Sequence, residues 1–356
     1  MPTMLDRVAY AAGQTARVGW YLAHYAAGRR RLKPMPKPEF PVGPFPQRQD
    51  LLRDMRQLFA REWADVRAGL FPPPPVLDPD PVAWLRRSAL YFRDLPKVDV
   101  RRHARINDEP DNDPAHAHLP RYYRQNFHYQ SGGWLTGESA EVYDIQVETL
   151  FTGAADVMRR RALKPIAEYL QGRNQRAARV LDVGTGTGRL PGFIHHAFPG
   201  LRVTGLDLSR PYLEHARQTI GASTRLKWME GAAEALPFAD ASVDIVTSSF
   251  LFHELPRKVR AQAVAEMARV LKPGGRAIVI DSVMEADRPE WKGLFDLFPY
   301  YFHEPYFADW ITSDPDALFA AHGLKPVARE IAFLSRVMVF DKTAEEDGFG
   351  RAEESP

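Results

Sequence analysis

Residues 180–190 read VLDVGTGTGRL, an apolar, strand-like run that meets Gly184, Gly186 and Gly188 and continues into amphipathic, helix-like sequence. A tight strand-to-helix turn needs residues without a Cβ, both to reach unusual φ and to let the backbone approach a ligand. The stretch therefore points to a nucleotide-type cofactor. A dinucleotide fingerprint counted from Gly184 would require glycine or alanine at position 189, where the chain has Arg189. A pyrophosphate binder such as an NAD-dependent oxidoreductase is disfavoured on that ground.

Working outward, apolar runs at Arg179–Val183, Arg202–Asp207, Leu226–Glu230, Val243–Ser248 and Arg276–Ile280 alternate with amphipathic segments. That alternation predicts βαβ units and a parallel sheet covered on both faces. The stretch KPVAREIAFLSRVMVFDKT at 325–343 predicts two further adjacent strands with a short turn near Leu334. Asp182 and Asp207 both fall at strand tips, Asp207 nineteen residues after Gly188. A carboxylate at the second tip can accept both hydroxyls of a ribose.

These residues resemble the first motif of the class I S-adenosylmethionine-dependent methyltransferases, an acidic residue followed by G-x-G-x-G. Further matches follow in order: MEGAAEALPFADASVDIV (229–246), VTSSFLFHELP (246–256) and ARVLKPGGRAIVIDSV (268–283). The flavour is that of the quinone and sterol C-methyltransferase group within the type 11-like methyltransferases. The resemblance implies an α/β fold, a Rossmann-like doubly wound sheet of seven strands, with S-adenosylmethionine as cofactor and S-adenosylhomocysteine as product. It places Asp182, Gly184, Thr185, Gly186 and Gly188 at the methionine part and Asp207 at the ribose. Leu208, Ala232 and Ala233 fall near the adenine, and Ser248 lies at the end of the fourth strand. One departure is Ala232, where related sequences carry an acidic residue for the adenine amino group; Glu234 or the backbone at 232–233 would take over. No metal is expected.

The domain division follows from these patterns: an N-terminal extension of short helices on proline-rich links over 1–141, a methyltransferase domain over 142–345 and a disordered tail over 346–356. Helical spacing runs through Leu5, Val8, Ala9, Ala12, Ala16, Trp20 and Ala23, ahead of a basic cluster at Arg29, Arg30, Arg31 and Lys33. Such a helix either packs on the main domain or docks peripherally on a membrane surface. Helical spacing recurs over Gln47–Gly69 and Pro81–Leu95, and one long helical stretch is expected from Val142 to about Leu170. Between them RYYRQNFHYQSGGWLTGESAEVYD (121–144) is dense in aromatics around Gly132 and Gly133, suited to a pocket lid or to a packed seam.

Composition narrows the function further. The 356 residues carry 47 basic and 45 acidic side chains, so no overall field draws the chain to a polyanion and nucleic acid is not an expected partner. The absence of cysteine excludes disulfides, thiolate metal sites and cysteine nucleophiles. No run suffices to span a membrane and the N-terminus lacks a signal-peptide core, so a cytoplasmic location is expected, peripheral to a membrane at most.

Methyl transfer from a sulfonium is an in-line displacement that needs alignment, exclusion of water and, for some acceptors, removal of a proton. The acceptor should meet residues that follow the fourth and fifth strands, which selects Phe250, His253 and Glu254. His253 is the candidate general base, with Tyr301 and His303, next to Glu304, as further candidates. The aromatics Trp291 to Trp310, with Phe127, Tyr129 and Trp134, could close over an apolar or planar small-molecule acceptor such as a quinone, phenol or lipid-like ring. They could equally form a core or a homodimer surface. The alternative from another class is a non-catalytic scaffold that kept the fold.

Overall fold

The apolar runs between 179 and 282 form the parallel centre of a single sheet: β1 (Arg179–Val183), β2 (Arg202–Asp207), β3 (Leu226–Glu230), β4 (Val243–Ser249) and β5 (Leu271–Ser282). The hairpin β6 (Leu324–Ala332) and β7 (Ser335–Lys342) completes seven strands in the order β3-β2-β1-β4-β5-β7-β6, with β7 antiparallel to both neighbours. This computed structural model describes residues 2–76 and 80–343. The tail expected at 346–356 lies outside the described residues. β5 starts earlier than the sequence suggests, because Leu271 already pairs with Val243 ahead of an irregularity in the ladder.

Helices α1 (Met4–Arg31), α2 (Arg48–Arg67) and α3 (Pro81–Ala104) make up an N-terminal arm. Helices α4 (Gly137–Leu150), α5 (Ala155–Arg160) and α6 (Leu163–Leu170) lead into the sheet. Helices α7 (Arg189–Ala197), α8 (Arg210–Thr219) and α9 (Arg257–Val270) serve its parallel part, while α10 (Lys292–Tyr301), α11 (Phe307–Ile311) and α12 (Pro315–Ala320) lie between β5 and β6. Strand side chains alternate between two cores. Val180, Val203, Ile245 and Ile278 point into one with Ile166 and Ile194, and Leu181, Val183, Val246 and Val279 into the other with Met267, Trp310 and Phe319. Coverage on both faces explains why these strands read as continuous apolar runs.

The arm is built into the first core. Met55, Leu58 and Val66 of α2 join it, each burial of that kind contributing about 2 kcal/mol. Arm and core also share buried charge. Glu62, fully buried, accepts both Arg160 Nε at 2.6 Å and Arg160 Nη2 at 2.9 Å, and Tyr10 Oη at 2.6 Å. Arg17 of α1 donates to Asp156 at 2.7 Å and pairs with Glu148 at 2.6 Å.

Two local expectations give way to these contacts. The single helix expected from Val142 to Leu170 is three, broken where Thr152 and Gly153 take positive φ. The break lets Gly153 O accept from Arg17 Nε and lets Glu148 cap α5 through the N–H groups of Ala155 and Asp156. A Cβ on Gly153 would come within 3.2 Å of Arg17 O. Helix α1 forms, opened by a Thr3–Asp6 capping box, but faces the other way. Its apolar residues Leu5, Val8, Ala9, Ala12, Ala16 and Ala23 are exposed, while Gln14, Arg17 and His24 are buried beside Tyr10 and Tyr21. Arg17 is inward because it meets the carboxylates of Glu148 and Asp156 there.

Breaking the Glu62–Arg160 pair strands a buried guanidinium, so Glu62→Gln should lower the urea-unfolding free energy by about 3–5 kcal/mol. The double variant Glu62→Leu with Arg160→Met should lose less than Glu62→Gln alone. Equal or additive losses in the two would show that the pair is not the cause.

Candidate active site

The turn that follows β1 is fastened to the tip of β2. Gly184 and Thr185 N–H both donate to Leu206 O at 2.9 Å, and Gly186 N–H donates to Asp207 Oδ2 at 2.7 Å. Asp207 Oδ1 accepts the N–H of Ser209 at 2.8 Å and is approached by Tyr123 Oη at 3.5 Å. Burial raises the Asp207 pKa from its ordinary value against the pull of those N–H bonds. Gly188, at φ +79°, sits under Trp228, whose ring would lie 2.5 Å from an added Cβ. Gly186, at φ +54°, has nothing within 4 Å of that position. The turn is thus tight on one side and open on the other.

The open side is a cleft at the carboxyl ends of β1 and β4, where the strand order reverses. Its walls include Gly184, Gly186, Asp207, Leu208, Gly231 and Ala233 from the sheet, and Ser249, Phe250, Leu251, Glu254 and Leu255 after β4. The segment between α3 and α4 supplies Tyr122, Tyr123 and Trp134, and α4 supplies Tyr143. Trp134 stacks flat on the buried Phe127 with centroids 4.0 Å apart. Tyr122 Oη donates to Glu234 Oε1 at 2.8 Å, while Glu234 Oε2 is buried without a partner.

Beyond Glu254 lies a buried group of imidazoles and carboxylates. His253 Nδ1 meets Asp281 Oδ1 at 2.7 Å, and Asp281 is itself oriented by the N–H groups of Phe252 and Ser282. His253 Nε2 lies 3.5 Å from Glu254 Oε1, and His128 Nε2 lies 3.7 Å from Glu254 Oε1 and 3.0 Å from Glu304 Oε1. Burial opposes charge on His253, but Asp281 and Glu254 outweigh it and raise the pKa to about 9. For His128 burial is outweighed by Glu304 and Glu254, and the pKa reaches about 10. Burial and then Glu304 push Glu254 up, whereas His128 overcomes burial to pull Glu304 down. His253 is therefore an imidazolium at neutral pH, the opposite of the free base its ordinary pKa suggests.

A model of the methyltransferase domain matches residues 180–275. The chain is 35% identical over 184 residues to a demethylmenaquinone methyltransferase of Thermus thermophilus, covering 51% of this chain and 78% of that protein. The chain belongs to the class I S-adenosylmethionine-dependent methyltransferases. A ubiquinone/menaquinone biosynthesis C-methyltransferase of Desulfotalea psychrophila is 38% identical over 110 residues, 31% of this chain and 44% of that one. The chain spans about half the length of several such curated relatives, between 44% and 63%. Among solved structures, a TehB-like SAM-dependent methyltransferase of Corynebacterium glutamicum aligns at 20% identity over 57% of this chain and 98% of that one, with a TM-score of 0.39.

Set in this fold, the residues singled out from sequence separate into groups. Gly184, Gly186, Asp207, Leu208 and Ala233 line the cleft. Asp182 lies wholly buried, its Oδ1 accepting Thr247 Oγ1 at 2.6 Å and its Oδ2 without a partner. Thr185 and Gly188 shape the turn but are absent from the cleft wall, as is Ala232, whose neighbours Gly231 and Ala233 face it. Ser248 points away, its Oγ donating to Val183 O at 2.8 Å; strand alternation presents Ser249 instead. His303 is held by Asn107 at 3.1 Å and Gln125 at 2.7 Å, and Tyr301 packs on Tyr300, so neither reaches the cleft. Of the 291–310 aromatics, Trp291, Phe295, Phe307 and Trp310 are core, while Phe298 and Phe302 turn their rings toward His128. His128 and Asp281 were missed. Asp281 carried the same signal as Asp207, an acidic residue at the tip of a strand; His128 carried none.

Burial, together with the nearby Asp207 carboxylate and against the Thr247 bond, raises the Asp182 pKa from 3.8 to about 7. Folding therefore takes up a proton between those values, and stability falls as pH rises from about 4 to about 7. Asp182→Asn lacks this penalty and should unfold at a higher temperature than the wild type at pH 8, by about 1–3 kcal/mol, with the gap closing at pH 5. Parallel melting profiles across that range would show that Asp182 does not titrate there.

Proposed function

We propose that the chain binds S-adenosylmethionine in the β1–β4 cleft and transfers its methyl group to a small, quinone-like aromatic acceptor. The observation that carries this reading is Asp207, a carboxylate at the tip of β2 tied to Gly186 N–H at the mouth of the turn. Its oxygens suit the ribose hydroxyls, and the unfilled space over Gly186 suits the methionine part. Glu234, with one buried oxygen lacking a partner, suits the adenine amino group and offsets the missing acid at Ala232. These residues fit the cofactor, which when bound supplies an electrophilic sulfonium methyl.

The chain's own part is binding, orientation and exclusion of water. Phe250, Leu251, Leu255, Tyr143 and Trp134 give the acceptor half of the cleft a largely apolar and aromatic wall. Glu254, the member of the buried imidazole–carboxylate group that reaches the wall, is placed to hydrogen-bond an acceptor hydroxyl. The arm over 1–141 acts as a cover, since Tyr122 and Tyr123 now engage Glu234 and Asp207 and must yield to adenine and ribose. A quinone-like acceptor agrees with the names carried by two relatives at 38% and 35% identity.

Calorimetry should detect S-adenosylmethionine binding, and Asp207→Ala should weaken it about tenfold to a hundredfold through loss of charge-assisted hydrogen bonds. Labelled methyl should appear on 1,4-dihydroxynaphthalene supplied as acceptor. No binding at millimolar cofactor would end this reading in favour of a scaffold.

Peripheral membrane contact through α1 is part of the same proposal. It is supported by the exposed Met4 and Leu5, 82% and 79% accessible, and by Arg29, Arg30 and Arg31 in its last turn. Flotation with anionic vesicles should carry the chain upward, and Leu5→Asp with Val8→Asp should release it; a wild type that stays at the bottom refutes the contact.

A further inference from the structure

We propose that His128, Glu254 and Glu304 form a binding site for one divalent transition-metal ion of the Mn2+ or Zn2+ kind. The three side chains come from separate parts of the fold: the turn at Phe127–Tyr129, the turn at Phe252–Glu254 after β4, and the residue just ahead of α11. One ligand atom from each lies within 4.8 Å of the others.

Two independent observations point to a ligand here. Glu254 and Glu304 side chains are 4% and 0% exposed, yet Oε2 of each is buried with no hydrogen-bond partner. Glu304 Oε1 has the His128 approach at 3.0 Å as its ion pair and no hydrogen bond. Buried carboxylate oxygens left without donors cost free energy that a cation recovers. The spacing also fits. Two ligand atoms each about 2.1 Å from a shared ion, at angles between 90° and 120°, stand about 3.0–3.6 Å apart. The His128–Glu304 separation of 3.0 Å lies in that range, and the His128–Glu254 separation of 3.7 Å lies just beyond it. One imidazole with two carboxylates suits Mn2+, Fe2+ or Zn2+ better than Ca2+, which takes oxygen alone, or Cu+, which seeks sulfur.

Three protein ligands leave coordination positions open, and Glu254 is shared with the cleft wall. The ion would thus stand where an oxygen of the acceptor could reach it and would lower the pKa of that hydroxyl. This last role rests on the methyl-transfer reading; the ion site does not.

The test uses the full chain, treated with EDTA and returned to chelator-free buffer. Mn2+ titration followed by electron paramagnetic resonance should show one tight ion per chain, with spin-echo modulation from an imidazole nitrogen. Glu304→Gln and Glu254→Gln should each weaken binding more than about tenfold, and His128→Gln should remove the nitrogen signal. Zn2+ should displace the bound Mn2+. Retention of neither Mn2+ nor Zn2+, Mn2+ bound without the nitrogen signal, or affinity unchanged in all three variants would overturn the site. The wild-type spectrum decides alone if the variants fail to fold. S-adenosylmethionine calorimetry on the metal-free chain keeps the two readings apart. Cofactor binding without ion uptake overturns the metal site alone, and ion uptake without cofactor binding overturns the methyl-transfer reading alone.

Discussion

Asp156 is the point on which the molecule turns. Its carboxylate accepts hydrogen bonds from Arg17 of α1 at 2.7 Å, Arg159 of α5 at 3.3 Å and Arg189 of α7 at 3.2 Å. Burial opposes its charge, but Arg189 and Arg17 overcome that and hold it well below the usual carboxylate range. The buried Arg17 and Arg159 guanidiniums enter a low-dielectric interior only with carboxylate partners, and removal of Asp156 would leave Glu148 to hold Arg17. Because α7 opens at Arg189, straight after the glycine turn, the same carboxylate sets the arm and the helix behind the β1–β4 cleft against each other.

This arrangement explains which features could be read from the chain and which could not. Strands β1 and β2 sit at the residues their apolar runs indicated, since both faces of the sheet are covered there and local pattern is enough. The edge strand β3 sits at its own, with Leu226 and Trp228 inward and Lys227 and Met229 exposed. The turn at Gly184–Gly188 and the tip residue Asp207 were equally legible, because φ and strand polarity are local constraints. Arg189, by contrast, could be read only as a misfit to a dinucleotide site. Its purpose lies in Asp156, and that pairing is tertiary. The inverted α1 is the same case: periodicity located the helix but could not know that Glu148 and Asp156 waited on the other side.

The side of the cleft beyond β4 was less legible for a related reason. Its polar residues come from three stretches far apart in sequence, and the aromatic segment that carries His128 reads as bulk hydrophobicity. His128 and Tyr129 both take positive φ, a conformation uncommon for any residue but glycine and hard to foresee at two successive aromatic residues. The glycine-turn side of the cleft rests on backbone, which a motif records; the side beyond β4 rests on side chains brought together by packing, which a motif does not.

The orientation of α1 has a consequence for how the chain is made. Arg17 finds its partner 139 residues later in the chain, at Asp156. At about 5–20 residues per second a ribosome needs about 7–28 s to cover that distance. During that interval Arg17 is solvated rather than ion-paired, so α1 has no carboxylate of α4 or α5 to dock against. The seating of α1 on the domain is thus a long-range contact that waits for the anchoring carboxylate to be synthesised.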